Sequence, residues 1–371
     1  MKVMPVDSSH RTADDVVTRA AEALRGGNLV GLPTETVFGV AASMAQSVGI
    51  QSLKEALNIR GHPAWVIHVS SSDAVGDFVA HVPPLARRLI RRLWPGPVSI
   101  QLPMDTSDVE RLAQSVGRQT AAEAMVDGCV TLRCTEVELT RRIIRAIDEP
   151  VTIVGVTGGD RVENAENIPE PLSRKLSVVV AGPPPRYKSL STVVRITGQH
   201  LEVVREGAMA ERVIRRLEDL VIVFVCSGNT CRSPMAAGLA AQILAEKLHV
   251  PVEELPNQHV LVRSAGVHAT SGMPAAPEAV KVVGEMGADI RKHRSMALTD
   301  DLLRRADMIY TMTQAHREEI LSHAPSLSEK TFTLDPDGDI EDPIGKGEQV
   351  YRRTAQRMEK LIRNRIAELE L

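Results

Sequence analysis

A seven-residue segment, Cys226 to Arg232, most constrains how this chain can fold. It follows an apolar, β-branched run at 221–225, which is typical of a buried strand, and it leads through Ser233-Pro234 into a helix-favouring segment, Met235 to Lys247. The order of strand, tight loop and helix turns backbone N–H groups and the positive end of a helix toward one point. The sequence therefore predicts an anion-binding cradle between the strand and the helix.

The first and last residues of this segment carry groups suited to a phosphate ester. The positive end of a helix favours the nucleophilic thiolate form of a cysteine placed as Cys226 is. The guanidinium of Arg232 can bind two phosphate oxygens with its planar fork. A buried, inert cysteine is the alternative interpretation, but the Gly, Asn and Ser-Pro around it favour a reactive site. These groups predict a phosphatase with a cysteine nucleophile.

The second half of the chain alternates strand-like and helix-like segments. Strands are predicted at 221–225, 260–263, 308–312 and 330–334, and helices at 235–247, 274–286, 314–321 and 348–371. Such alternation predicts an α/β domain with a doubly wound parallel sheet. Its ligand would bind at the carboxyl ends of the strands, where Cys226 lies.

This half, from about Leu220 to Leu371, resembles the low-molecular-weight protein phosphatase family. The matching segments are 225–236, Ser264-Ala265-Gly266, Ala306-Asp307-Met308 and Asp342-Pro343. The resemblance implies that Cys226 forms a cysteinyl-phosphate, which water hydrolyses, and that Arg232 and the loop N–H groups hold the phosphate oxygens. It also implies that Asp342 protonates the leaving group and then activates the water. By spacing alone, Asp342 does not stand out from the acidic residues nearby. No cofactor and no metal is expected for this reaction.

Further loop residues are expected to bind the phosphate: Ser227, Gly228, Asn229, Thr230, Cys231 and Ser233. Ser233 would hydrogen-bond to the thiolate, and Asn229 would accept left-handed backbone angles. The resemblance implies a reversible disulfide between Cys231 and the nucleophile, whereas simple packing is the alternative role.

The side chains around the loop bear on which phosphate ester is hydrolysed. Thr230 and the pair Ile344-Gly345 stand where phosphotyrosine enzymes of the family carry a bulky aliphatic residue and aromatic residues. The resemblance is therefore greatest to the protein-arginine-phosphatase branch, and a phosphorylated protein is the expected partner. A general low-molecular-weight tyrosine phosphatase, in which Thr230 is incidental, remains the alternative.

The first half carries three further motifs in order. They are Gly31 to Val40, Trp94 to Ser99, and Leu190 to Val194 followed by Val204 to Ala208. They resemble the Sua5/YrdC-type threonylcarbamoyl-adenylate synthases, which activate threonine with ATP for tRNA modification. The resemblance implies a twisted α/β domain around an open, positively lined cavity, with ATP and Mg as ligands. The residues expected at a nucleotide site are Thr34, Arg60, Ser191, Thr192 and Arg205.

Two elements depart from the synthase pattern. Arg60-Gly61-His62-Pro63 replaces a Lys-x-Arg pair, and Thr157-Gly158-Gly159 replaces a Ser-x-Asn element. Losing these phosphate-binding groups predicts that adenylate synthesis is impaired. A bifunctional protein with an active synthase is the alternative. Binding of tRNA is not expected, because the net charge is −3 and Arg87-Arg88 and Arg91-Arg92 suggest only a solvated helix face.

Length and composition set the remaining expectations. The 371 residues suggest domains at 1–210 and 220–371, joined by a helical linker at 211–219. Four cysteines are too sparse for a disulfide scaffold, and the histidines lack metal-site spacing. No apolar run reaches the length of a membrane span, and no signal-peptide core follows Met1, so a cytoplasmic location is expected.

Overall fold

The computed structural model describes residues 2–4, 10–156 and 167–369. The chain forms two compact units, Met1–Glu218 and Asp219–Leu371. None of the helices in these ranges is both long and apolar enough to cross a membrane.

The first unit is built on one large mixed sheet. Its strands are β1 (Lys2–Met4), β2 (Leu29–Leu32), β3 (Gly39–Ser43), β4 (Val66–His68), β5 (Val98–Pro103), β6 (Met125–Val126), β7 (Cys129–Arg133), β8 (Val151–Gly155), β9 (Leu176–Val180), β10 (Thr192–Thr197) and β11 (His200–Arg205). Their order is β1-β9-β2-β3-β8-β4-β7-β5-β10-β11, with β6 paired to β7. Neighbours on β3 alternate between two apolar clusters, Val40 in one and Ala41 in the other, so both faces of the sheet are covered.

Helices cover the two faces of this sheet. They are α1 (His10–Arg25), α2 (Ser47–Ala56), α3 (Pro84–Leu93), α4 (Thr106–Val116), α5 (Arg118–Ala124), α6 (Glu138–Ile147), α7 (Glu170–Ser173) and α8 (Glu211–Arg215), with a 3₁₀ turn at Asp73–Asp77. The α1 and α6 helices pack together over one face, where Leu24 and Ile143 are buried. The predicted α/β class of this half is confirmed.

The segment predicted to be a linker, 211–219, is largely part of the first unit. Ile214 of α8 is completely buried in that unit's core. Arg88 of α3 donates from Nε and Nη2 to the carbonyl of Glu218, at 3.1 and 2.8 Å, and Arg92 donates to the carbonyl of Leu217 at 2.6 Å. The expectation of a solvated basic face on α3 is therefore wrong for Arg88, which is buried because it satisfies the carbonyl that follows α8.

The second unit has a four-stranded sheet of β12 (Leu220–Cys226), β13 (Val260–Gly266), β14 (Met308–Thr311) and β15 (Thr331–Thr333). The order is β13-β12-β14-β15 and every pairing is parallel, which confirms the predicted doubly wound sheet. Helices α9 (Arg232–Leu248), α10 (Pro277–Glu285), α11 (Asp300–Arg305), α12 (Gln314–His323) and α13 (Glu348–Ala367) surround it, with 3₁₀ turns at Val252–Gln258 and Pro325–Lys330.

The β12 strand is the centre of this unit, and all seven of its residues are buried. Ile222 and Phe224 face the cluster that contains α9, α10 and α13, while Val223 and Val225 face α11 and α12. The α9 helix begins at Arg232, three residues before its predicted start, because proline is accepted in the first turn of a helix. The α11 helix was not predicted. Six residues are too few for a helical period to stand out from the surrounding sequence.

Candidate active site

The cradle loop, residues 227–231, joins the end of β12 to the start of α9. Because β12 is an inner strand and α9 starts directly after the loop, the loop lies between a strand end and the positive end of a 17-residue helix. Ser227, Gly228 and Thr230 are half-buried, and Cys226 is 3% exposed. This is the arrangement that the sequence predicts for an anion-binding cradle.

Asn229 holds the cradle loop in shape. Its backbone is left-handed, with φ +55°, and its side chain is fully buried. The side-chain Nδ2 donates to the hydroxyls of Ser233 and Ser264, both at 2.9 Å. Its Oδ1 accepts a hydrogen bond from the backbone N–H of Met296 at 2.8 Å. One side chain therefore ties the loop to α9, to β13 and to the segment that follows His293.

The thiol of Cys226 has two hydrogen-bond partners in the structure. The Ser233 hydroxyl lies 2.9 Å from its Sγ, and the backbone N–H of Asn229 donates to the same sulfur at 3.3 Å. Ser233 Oγ also lies 3.3 Å from the carbonyl of Ala265. The N–H of Asn229 donates to the sulfur, and the Ser233 hydroxyl can donate to it when its hydrogen is not on Ala265; such donors stabilise negative charge there, as a thiolate nucleophile requires.

Gly266 is required by the close approach of the cradle loop to β13. A Cβ atom at this position would lie 2.4 Å from the carbonyl oxygen of Ser227 and 2.9 Å from the nitrogen of Asn229. The chain after Gly266 continues along the loop, where the N–H groups of Val267 and His268 donate to the carbonyls of Cys226 and Ser227, both at 3.0 Å. The loop backbone is thus fixed from the neighbouring strand as well as from Asn229.

Arg232 and Asp342 come together at this site. The Arg232 guanidinium is largely buried and donates from Nη2 to Oδ2 of Asp342 at 2.5 Å, and from Nη1 to the carbonyl of Ile340 at 3.2 Å. The Asp342 side chain is 44% exposed, and its Oδ1 accepts from the N–H of Ile344 at 3.2 Å. The structure therefore places a fixed cation and a solvent-accessible carboxylate beside the cradle.

Cys231 lies at the base of the loop, 6% exposed. Its sulfur is 3.2 Å from the hydroxyl of buried Tyr351 on α13 and 3.7 Å from Oγ1 of Thr230. Burial, followed by the hydrogen bond to Cys231, raises the pKa of Tyr351, so this phenol stays protonated and can donate to the sulfur. Cys231 therefore packs against α13, and the predicted disulfide with Cys226 stays a prediction.

Two histidines that were not predicted as site residues contact the cradle loop. His293 Nε2 lies 2.8 Å from the carbonyl of Asn229, and His316 Nε2 lies 2.9 Å from Oγ of Ser227. Burial lowers the pKa of both imidazoles, and the charge of Arg232 lowers that of His316 further. They were missed because they come from distant segments. The only local signal is the position of His316 in the first turn of α12, three residues after the capping Thr313.

In the first unit, three of the five residues predicted for nucleotide binding line one cavity. Thr34, Ser191 and Arg205 are among the residues that line a cavity of about 240 Å³. Arg60 is exposed and does not line it. Thr192 also points elsewhere, because its hydroxyl donates to the carbonyl of Met209 and accepts from the N–H groups of Gly207 and Met209. Thr192 is thus a structural residue that fixes the turn after β11.

Two other polar residues that line this cavity, His68 and Arg133, were not predicted. Arg133 donates to Oε1 of buried Glu35 at 2.6 Å, and Thr135 hydrogen-bonds to the same carboxylate. Burial alone would raise the pKa of Glu35, but Arg133 and Thr135 outweigh it and lower that pKa. His68 is buried with no partner for its Nε2, and burial, with Arg133 second, lowers its pKa to about 3. Glu35 lies inside a recognised motif, whereas His68 and Arg133 gave no signal.

Two further points concern the replaced phosphate-binding element of the first unit and metal binding. Thr157-Gly158-Gly159, predicted to replace a phosphate-binding element, lies outside the described residues. Across residues 2–4, 10–156 and 167–369, no three His, Cys, Asp or Glu side chains are grouped so that they could hold a metal ion.

Comparison with known proteins matches the two units to two families. The model of the low molecular weight phosphotyrosine protein phosphatase family matches residues 221–370. The model of the Sua5/YciO/YrdC family, described as telomere recombination, matches residues 22–207, half of the chain.

Individual relatives come from both families. A Bacillus subtilis protein named protein-arginine-phosphatase is 36% identical over 154 residues, which are 40% of this chain and 96% of that protein. A Pyrococcus abyssi protein named threonylcarbamoyl-AMP synthase is 28% identical over 248 residues, 65% of this chain and 68% of that protein. A solved structure of Sua5 from P. abyssi has a TM-score of 0.50 at 20% identity, covering 66% of this chain and 76% of that one, and shows a shared fold.

Proposed function

Because the chain belongs to the low molecular weight phosphotyrosine protein phosphatase family through residues 221–370, we propose that Cys226 is the nucleophile of its phosphatase unit. Through residues 22–207 the chain also belongs to the Sua5/YciO/YrdC family. The second unit is thus a protein phosphatase, a hydrolase. The observation that carries the assignment is the sulfur of Cys226, which accepts from the N–H of Asn229 and lies 2.9 Å from the Ser233 hydroxyl beside a helix N-terminus.

The proposed reaction has two steps. The Cys226 thiolate attacks phosphorus and the bond from phosphorus to the leaving nitrogen or oxygen breaks, while Asp342 gives the leaving atom its proton. Water then attacks the cysteinyl-phosphate, its proton passes to Asp342, and the sulfur–phosphorus bond breaks to release inorganic phosphate. Arg232 and the loop N–H groups would hold the equatorial oxygens in both steps. All the groups that this reaction uses belong to the chain, so we propose that it needs no cofactor.

We further propose that the substrate is phosphoarginine in a protein. Half-buried Thr230 lines the cradle loop with a small polar group, and Ile344, 63% exposed, stands after the Asp-Pro pair where an aromatic wall would otherwise grip a phenyl ring. The name of the B. subtilis relative supports the same substrate. Phosphotyrosine is the alternative, favoured by the description of the family. A thiolate enzyme with four unpaired cysteines fits a reducing, cytoplasmic compartment.

For the first unit we propose a domain impaired in threonylcarbamoyl-adenylate synthesis. Arg60 replaces part of the Lys-x-Arg pair and is exposed outside the cavity. The competing candidate is an active synthase in a bifunctional protein, supported by the P. abyssi relative. Release of pyrophosphate from ATP with threonine and bicarbonate would establish that activity and overturn the proposed impairment.

Substitution of Cys226 tests the phosphatase proposal. The Cys226→Ser variant keeps the loop N–H groups and Arg232, so we expect it to bind inorganic phosphate while hydrolysing neither phosphoarginine nor phosphotyrosine peptides. Cys129→Ser, a change at a buried cysteine of the first unit, is the matched control and should hydrolyse at the wild-type rate. Turnover by Cys226→Ser near the wild-type rate would remove Cys226 from the mechanism.

A further inference from the structure

A chain of three polar side chains runs from the start of α12 to the cradle loop. Thr313 caps α12, and its Oγ1 accepts from the backbone N–H of His316 at 3.2 Å. The same Oγ1 lies 2.8 Å from Nδ1 of His316, whose Nε2 lies 2.9 Å from Oγ of Ser227. His316 is 7% exposed, so water does not readily replace either contact.

Sheet topology brings these residues together. The β12 and β14 strands are parallel neighbours, with Val225 in register with Thr311, so the chain leaves both strands at the same edge of the sheet. Ser227 follows one strand end and Thr313 follows the other. The start of α12 is also held by Asp339, which accepts from the N–H of Gln314 at 2.8 Å. The imidazole of His316 is therefore fixed between the cradle loop and the helix start.

Burial favours the neutral form of His316. Burial lowers its pKa most, and Arg232 lowers it further, while Glu319, Asp339 and Asp342 act in the opposite direction. A neutral imidazole carries one N–H, so one ring nitrogen donates and the other accepts. The hydrogen bonds between Thr313, His316 and Ser227 therefore run in one of two directions, according to which ring nitrogen of His316 carries the hydrogen.

The Thr313 hydroxyl favours one direction, because it can then use both its oxygen and its hydrogen within His316. Its oxygen already accepts the N–H of His316, and its own hydrogen can be satisfied by Nδ1 of the same residue. Nδ1 then accepts, the ring hydrogen resides on Nε2, and Nε2 donates to Oγ of Ser227. The Ser227 hydroxyl hydrogen is left over. It cannot point back at the imidazole, which already donates to that oxygen.

We propose that His316 is a positioning residue that turns the Ser227 hydroxyl hydrogen toward the bound phosphoryl group, which makes Ser227 a side-chain donor to a phosphate oxygen. This inference rests on the proposed phosphatase function and adds to the backbone donors of the loop. It gives the cradle a donor that is oriented before the substrate arrives. In the opposite direction, Ser227 would donate to the ring and would be unavailable to the phosphate.

Binding of inorganic phosphate to the full chain, measured by calorimetry, tests the proposal. A hydrogen bond to a charged group predicts that Ser227→Ala weakens binding about tenfold or more. His316→Ala should weaken binding in the wild-type background and have no further effect in Ser227→Ala. His316→Gln places an amide N–H near the position of Nε2 and should restore most of the loss. His323→Ala, at an exposed histidine of the same helix, is the control and should bind as the wild type does.

A second measurement does not depend on these variants. Nitrogen-15 NMR of the wild-type imidazole should show the hydrogen of His316 on Nε2. Wild-type phosphate affinity in Ser227→Ala, an equal loss from His316→Ala in both backgrounds, or a hydrogen on Nδ1 would each overturn the proposal. Failure of the proposed phosphatase function would give a different result. The wild type and its variants would then show the expected differences in phosphate affinity, but the wild type would hydrolyse no phosphorylated peptide.

Discussion

Arg232 donates from Nη2 to Oδ2 of Asp342 at 2.5 Å, although 110 positions separate the two residues in the chain. The arginine is buried, whereas the carboxylate is 44% exposed, so the pair joins a fixed cation to a group that substrate and water can reach. Because the carbonyl of Ile340 orients the same guanidinium, the segment 340–342 positions both Arg232 and the proposed acid, Asp342.

Asp342→Asn should lower kcat by about 10²–10⁴-fold on a substrate with a poor leaving group, the usual range for loss of a general acid. The amide still accepts from Arg232, so phosphate binding should change little. Steady-state rates and phosphate inhibition of the purified variant measure the two effects. Asp337→Asn, at an exposed turn residue nearby, should be neutral. An unchanged kcat for Asp342→Asn would exclude Asp342 as the acid.

Asn229→Ala and Asn229→Gly should separate backbone strain from the side-chain network. Both remove the contacts to Ser233, Ser264 and Met296, so both should lower phosphate affinity. Both must adopt φ +55°, but this conformation has a steric cost of about 1–2 kcal/mol for alanine and none for glycine. Chemical denaturation should therefore find Asn229→Ala the less stable variant by about that amount. Equal stabilities would mean that the loop relaxes out of the left-handed conformation.

Gly266→Ala should damage the site without touching a reacting group. Its Cβ would collide with the carbonyl of Ser227, and overpacking of this kind costs about 1–3 kcal/mol. We expect lower thermal stability and a lower kcat/KM. Gly284→Ala, on an open face of α10, is the matched control and should be neutral or slightly stabilising. A fully active Gly266→Ala enzyme would contradict the close approach of the loop to β13.

The first unit should lose stability in acid through His68. Its pKa is about 3 in the folded unit and near 6.5 when unfolded, so between these values the unfolded chain binds more protons. Stability should therefore fall as the pH drops below 6.5, by about 3 kcal/mol at pH 4 from this residue. Both tryptophans, Trp65 and Trp94, are buried in this unit, so their fluorescence follows its unfolding.

The matched comparison for this effect is His68→Gln, which cannot titrate. As the pH falls from 6.5 to 4, the unfolding free energy of the wild type should decrease more than that of the variant. A difference that stays constant over this range would show that His68 is not held neutral by burial.

The sequence predicted the parts of the site that are continuous in the chain. Strand, loop and helix around Cys226 follow from local rules, and so does the left-handed Asn229. His293 and His316 could not be found in this way, because a histidine has no periodic signature and only the parallel pairing of β12 with β13 and β14 brings those segments to the loop. Arg88 was misjudged for the same reason, since its partner, the carbonyl of Glu218, lies 130 positions away.

The most direct test of the proposed phosphatase compares kcat/KM of the full chain on two peptides that differ only in carrying phosphoarginine or phosphotyrosine, with Cys226→Ser as the blank. We expect hydrolysis that needs Cys226 and a clear preference for phosphoarginine. Preference for phosphotyrosine would make Thr230 incidental and contradict the proposed substrate. Equal rates for wild type and Cys226→Ser would contradict the mechanism itself.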